Sequence, residues 1–309
     1  MEMRKVLALE LQKIMQINKY IIIINADLAR AAGLSDLYEI FPERCFNVGV
    51  AEQNMAGVAA GFSSYGFIPF IFTFTPFATR RICDQIAISI CYAKQNVKIF
   101  GLDPGIAAEN NGGTHMSVED VGVLRSIPKI TIFEPCDEFQ LKSALPEVIS
   151  RDGAVYVRLF RKECVSIFDE NYKFSFLKAD KLREGADVSV FCTGLMVEES
   201  ILAAEELAKS GISAEVINIH TVKPIDKESI IASVRKTGRA VTAENHNIIG
   251  GLYSAVSEVL SLNCPAPMRS VGINDEFGQV GRIQFLKSYY GMTKNVIVNK
   301  VMELLNEKK

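Results

Sequence analysis

The sequence is poor in the patterns that most directly announce a function. No two of its seven cysteines (Cys45, Cys83, Cys91, Cys136, Cys164, Cys192 and Cys264) stand as Cys-x-x-Cys. An odd, unclustered set argues against a disulfide framework and a zinc knuckle, and for a reducing cytoplasm. Histidine is scarce: His115, His220 and His246 are all there is, too little to build a catalytic zinc centre, so no metal site is expected. No apolar run approaches the roughly 18 residues of a membrane span. Met1-Glu2-Met3-Arg4-Lys5 leads into an amphipathic stretch rather than a secretory leader. No Gly-x-Gly-x-x-Gly opens a helix after a strand, and Gly-x-x-x-x-Gly-Lys-Ser/Thr is absent, which removes the dinucleotide fingerprint and the P-loop. Neither sign of charge is in excess: 34 Lys and Arg face 36 Asp and Glu, leaving no footing for nucleic acid or an anionic membrane. Any catalysis must rest on carboxylates, one or two histidines, or a cofactor.

What is present is an ordered chain of 309 residues, 49% apolar and 23% charged, long enough for about two domains. Leu7, Leu11 and Ile14 predict a helix to Ile17. Tyr20 to Asp27 is a continuous β-branched run, which suits a strand of a parallel sheet buried on both faces. Short strands near Cys45, at Phe67–Phe74, Val97–Gly101 and Ile130–Glu134 alternate with helices from Glu52 and over Thr79–Tyr92. The pattern lapses over residues 160–185, read as a linker or domain edge, and restarts with a strand at 187–194. Helices at 197–210, 227–234, 252–260 and 294–306 then alternate with strands at 214–219 and 240–244. This is an α/β fold of two doubly wound domains, residues 1–170 and 186–309.

Four stretches carry chemistry. In Phe46-Asn47-Val48-Gly49-Val50-Ala51-Glu52-Gln53-Asn54-Met55-Ala56-Gly57-Val58-Ala59-Ala60-Gly61, a strand gives way to a helix of almost no bulk. Each glycine costs it about 1 kcal/mol of propensity, which points to close approach of a neighbour or ligand. Glu52 in its first turn serves either a ligand or merely the helix dipole. Thr73-Phe74-Thr75-Pro76-Phe77, followed by Arg81 and Asp84-Gln85, ends a strand with two aromatic rings at a sheet edge, where ligands bind. Gly112-Gly113-Thr114-His115 delivers a histidine on a glycine loop. Asp27 closes the first strand, as a ligand contact or a helix N-cap. Arg4, Arg158 and Arg161 are candidate anion binders; a strand-end salt bridge is the other reading of Arg158. Gly250-Gly251 reads as a tight turn before an anion site.

Taken together these stretches resemble the transketolase family, over nearly the whole chain and in domain order. The resemblance implies thiamine diphosphate as cofactor, with Glu52 on its aminopyrimidine and Phe74 and Phe77 lining the pocket for that ring. It implies His115 beside the reacting sugar, Asp27 facing cofactor or donor, and Arg4 and Arg161 gripping a sugar phosphate. Asp103 stands where relatives carry a phosphate-binding histidine, Ala31 where a serine is common, and Asn111 where an aspartate is common. An aspartate repels a phosphate dianion, so the sugar end is altered and a substrate outside the usual pentose phosphates is expected. His220-Thr221-Val222-Lys223-Pro224 and the stretch around His246 resemble motifs of the family's C-terminal domain, with both histidines read as structural or interface residues.

The family's Gly-Asp-Gly motif, which holds the diphosphate through Mg²⁺, does not occur in this sequence. The resemblance therefore implies the C-terminal subunit of a split transketolase, paired with an N-terminal subunit in an α2β2 heterotetramer. Such an enzyme transfers a two-carbon ketol unit from a ketose to an aldose. The alternatives are a 2-oxo-acid dehydrogenase β-subunit, a 1-deoxy-D-xylulose-5-phosphate synthase-like enzyme, or a non-catalytic paralogue.

Overall fold

The computed structural model describes residues 1–306. The isoleucine run Ile21–Asn25 forms β1 and is buried throughout. β-Branched side chains pack well on both faces of a covered pleat. β1 pairs in parallel with β2 (Cys45–Asn47) and β3 (Ile68–Phe74). Outward from β3 lie β4 (Lys98–Leu102), then β6 (Val155–Leu159), then β5 (Thr131–Phe133). The second sheet runs from an antiparallel edge strand, β7 (Asp180–Arg183), through β9 (Ala214–Asn218), β8 (Val188–Cys192) and β11 (Ala240–Asn247) to β12 (Met268–Ile273). Helices cover both sheets. Met3–Ile17 lays Met3, Leu7, Leu11 and Met15 on the first core, and Lys294–Asn306 lays Ile297, Val301 and Leu304 on the second.

The two halves share more than a boundary. β10 (Thr221–Lys223) follows β9 in sequence, yet it pairs antiparallel with β5, making it the seventh strand of the first sheet. Beneath it lies a fully buried polar lock. Arg158 donates from Nε to Asp120 Oδ2 at 2.6 Å, from Nη1 to Glu134 Oε2 at 2.6 Å, and from Nη2 to the Asn245 carbonyl at 2.9 Å. The Tyr156 hydroxyl adds a bond to Asp120 at 2.7 Å. Burial works against ionising Asp120, but the charges of Arg158 and His246 and the hydrogen bonds from Arg158 and Tyr156 together hold the carboxyl below its ordinary range. For Glu134 burial wins and its pKa is raised. Of the two readings of Arg158, the structure supports the ion pair: the guanidinium is 1% exposed and both carboxylates face it.

One expectation is corrected. Thr79–Tyr92 is not one α-helix: a 3-10 turn, Arg80–Ile82, leads into a π-helix, Gln85–Tyr92. Its buried residues, Ile86, Ile90 and Cys91, recur at spacings of four and five, which suits the wider π turn. The segment read as a linker or domain edge is packed where it passes over the first sheet: Phe174 and Phe176 close against Phe133. Edge strand β7, too polar to read as a strand, follows directly.

Candidate active site at the carboxyl edge of the first sheet

The candidate residues come from separate segments, but the sheet gathers most of them. Asp27 follows β1, Phe74 ends β3, Asp103 follows β4 and Arg161 follows β6. All lie at the carboxyl ends of adjacent parallel strands, where α/β sheets hold ligands.

Glu52 opens the helix Glu52–Ser64 and is 5% exposed. Its Oε1 accepts from Arg81 Nη1 at 2.8 Å, and the Arg81 guanidinium lies 3.8 Å from the centre of the Phe77 ring. Pro76 starts the short turn that carries Phe77 back past Phe74. The rings of Phe74, Phe77 and His115 form one edge-to-face cluster, with His115 at 5.5 Å from Phe74 and 5.2 Å from Phe77. His115 Nδ1 pairs with Thr114 Oγ1 at 2.9 Å. Its loop is pressed on by the second half of the chain. A Cβ on Gly105, whose φ is +53°, would fall 2.2 Å from Asn245 Oδ1, and one on Gly113 would fall 2.6 Å from the Gly278 carbonyl oxygen. A side chain at either position would force one of the two segments to shift.

The sugar end is built differently from the expectation. Asp103 does not stand as a free negative charge in the pocket: it is 1% exposed and lies under Arg161. Its Oδ1 accepts from the Arg161 backbone N–H at 3.1 Å and its Oδ2 from Arg161 Nε at 2.7 Å. Asp103 thus aims the arginine, whose guanidinium sits 5.0 Å from the centre of the Phe74 ring. The Ala31 carbonyl accepts from Arg161 Nη1 at 2.9 Å and from Arg4 Nη1 at 3.2 Å. A recess of about 980 Å³ opens there, lined by Arg4, Lys5, Asp27, Arg30, Ala31 and Asp36 among others.

Asp27 is exposed, in a left-handed backbone conformation, and bonds Asn47. It is not an N-cap, since Leu28 occupies that position of the next helix. Asn111 is exposed and is not among the residues that line the recess. His220 and His246 lie outside the cluster, 1% exposed, with backbone partners: His220 Nε2 pairs with the Lys178 carbonyl at 2.7 Å and His246 Nδ1 with the Asn247 carbonyl at 2.6 Å. Gly250-Gly251 is a turn whose following helix already has its first two N–H groups on a carboxylate, because Glu244 accepts from Leu252 and Tyr253. Sequence reasoning left Arg81 and Arg30 without roles. Arg81 had a signal, its place in the aromatic motif; Arg30 had none beyond adjoining Ala31.

Comparison with known proteins establishes the family. Residues 1–165 match the transketolase pyrimidine-binding domain and residues 177–297 the transketolase C-terminal domain. The chain is 51% identical over 288 residues to a 6-deoxy-6-sulfo-D-fructose transketolase subunit of Clostridium sp. (strain MSTE9), covering 93% of this chain and 89% of that one. It is 31% identical over 291 residues to an apulose-4-phosphate transketolase subunit of Phocaeicola vulgatus, covering 94% and 93%. A solved split-gene transketolase, described as an inactive β4 tetramer, superposes with a TM-score of 0.90 at 38% identity over 100% of this chain and 99% of that one. The chain therefore belongs to the transketolase family, as a C-terminal subunit of the split-gene type.

Proposed function

We propose that this subunit supplies the pyrimidine-side half of a thiamine-diphosphate site, and that the assembled enzyme transfers a two-carbon ketol unit from a ketose with an anionic tail to an aldose. One observation carries the cofactor reading. The flat, nitrogen-rich Arg81 guanidinium rests on the Phe77 face while donating to the Glu52 carboxylate. An aminopyrimidine makes the same two demands, an aromatic face and a carboxyl partner for a ring nitrogen, so the residues present fit it.

The chemistry supplied by bound thiamine diphosphate is a nucleophilic carbon that takes the ketol unit. Glu52 holds the proton at the pyrimidine nitrogen, at the positive end of its helix and shielded from water. Phe74 and Phe77 fix the ring plane. His115, with Nδ1 on Thr114, offers Nε2 to a substrate hydroxyl or carbonyl. Asp27, at the rim of the recess, faces donor or cofactor. Arg4 and Arg161, the latter aimed by Asp103, attract the anionic end of the sugar.

The diphosphate and Mg²⁺ belong, in this reading, to an N-terminal partner subunit in an α2β2 assembly. Gly57 and Gly61 support a close partner contact. Both face outward, with no atom within 4 Å of a Cβ built on either, and Val50, Tyr65, Ile88 and Tyr92 are also exposed. The description of the solved relative as inactive in its β4 form supports the need for a second chain. All seven cysteines are free, consistent with work in a reducing cytoplasm. The names of the relatives support both sulfonate and phosphate tails. The test is reconstitution with the partner, with 6-deoxy-6-sulfo-D-fructose and xylulose 5-phosphate as donors and an aldose phosphate as acceptor. Glu52→Gln is expected to lower turnover by about 10²–10⁴; near-normal turnover removes Glu52 from the mechanism.

A further inference from the structure

We infer that Arg30 is a specificity-determining residue, the cation that contacts the anionic tail of the donor sugar. The inference rests on the proposal that the recess beside Ala31 receives that tail. It starts from the state of the other cations there. Arg161 is engaged by Asp103 through Nε and Nη2, and its Nη1 is on the Ala31 carbonyl. Arg4 donates from Nε to Glu2 Oε2 at 3.0 Å and from Nη1 to the same carbonyl. The close packing of Arg4 on Gly33, where a Cβ would lie 3.4 Å from Arg4 Cγ, helps hold it in place. Lys5 lies 3.5 Å from the same Glu2 carboxylate. These three cations are positioned, and partly neutralised, before any substrate arrives.

Arg30 differs. It lies in the short helix Ala29–Ala32, directly before the residue whose carbonyl collects Arg4 and Arg161. It lines the same recess and is exposed. Among the described residues its guanidinium has no hydrogen-bond or ion-pair partner. Asp27 and Asp36 also line the recess, but neither forms an ion pair among the described residues, and Asp27 is turned to Asn47. An incoming sulfonate or phosphate therefore meets one guanidinium with all its donors available. Its planar fork matches two oxygens of either group. Ala31 offers no hydroxyl for the anion, and Arg30 provides donors from the neighbouring position instead.

The experiment uses the enzyme assembled with its partner subunit. Donor kinetics are measured for 6-deoxy-6-sulfo-D-fructose, xylulose 5-phosphate and the uncharged ketose erythrulose, in the wild type, Arg30→Gln, Arg30→Lys and Arg4→Gln. The expected result for Arg30→Gln is a fall of about 10- to 100-fold in the ratio of kcat/KM for a charged donor to that for erythrulose, the worth of one charge-assisted hydrogen bond. The change should come through KM, with partial recovery in Arg30→Lys. An unchanged ratio in Arg30→Gln, alongside a lowered ratio in Arg4→Gln, overturns the role of Arg30 and leaves the recess as the tail site. An unchanged ratio in both variants overturns the recess reading and this inference with it.

Discussion

Arg158→Met isolates the buried lock that joins the two halves. The side chain is 1% exposed and holds two carboxylates, Asp120 at 0% and Glu134 at 3%. Methionine fills similar space but leaves both acids facing each other without their cation. Removing one partner of a buried ion pair costs about 3–5 kcal/mol. The Tyr156 hydroxyl still serves Asp120, but nothing replaces the charge opposite Glu134, and the bond to the Asn245 carbonyl across the halves is lost. We expect urea unfolding to report a loss of about 3–5 kcal/mol. In the variant both acids are held above their unfolded pKa values. That raises the folded-state affinity for protons, so stability is present at low pH and lost as pH rises. The gap to wild type should therefore be wider at pH 8 than at pH 5. A gap below about 1 kcal/mol at both pH values refutes the lock as an energetic element.

Burial pushes the His220 pKa down to about 4. Its folded value lies below the unfolded one of about 6.5, so its contribution is present above pH 6.5 and is lost as pH falls towards 4; at pH 5 the penalty is about 2 kcal/mol. His220→Gln should lose that much less stability between pH 7.5 and 5, and identical pH slopes in melting experiments contradict this. Gly57→Leu should leave the isolated chain as stable or slightly more so, since a helix glycine is relieved. The same change should weaken assembly with the partner about tenfold or more, overpacking costing roughly 1–3 kcal/mol; unchanged association in sedimentation would move the interface elsewhere.

Local pattern carried much of the fold. The isoleucine run of β1 and the last helix over 294–306 are each set by local pattern, and both read correctly. β10 was not legible, because Thr221–Lys223 is too short to signal a strand and its partner β5 lies far back in sequence. The π-helix was hidden because its apolar residues fit an ordinary helix nearly as well. In the candidate site, motif reading singled out Glu52, Phe74, Phe77 and His115; the fold brings the three rings together, and Arg81 ties Glu52 to Phe77. It could not tell whether a charge was free or engaged. Asp103 read as a repulsive group, and the structure instead has it aiming Arg161. Arg158 read equally well as an anion binder because its two carboxylate partners come from other segments.

Whether this chain holds half a cofactor site is tested most directly by calorimetric titration of thiamine diphosphate with Mg²⁺, into the isolated chain and into its complex with the N-terminal partner. We expect binding that is weak or undetectable for the chain alone, and tight and Mg²⁺-dependent for the complex. Tight Mg²⁺-dependent binding by the isolated chain would contradict the half-site.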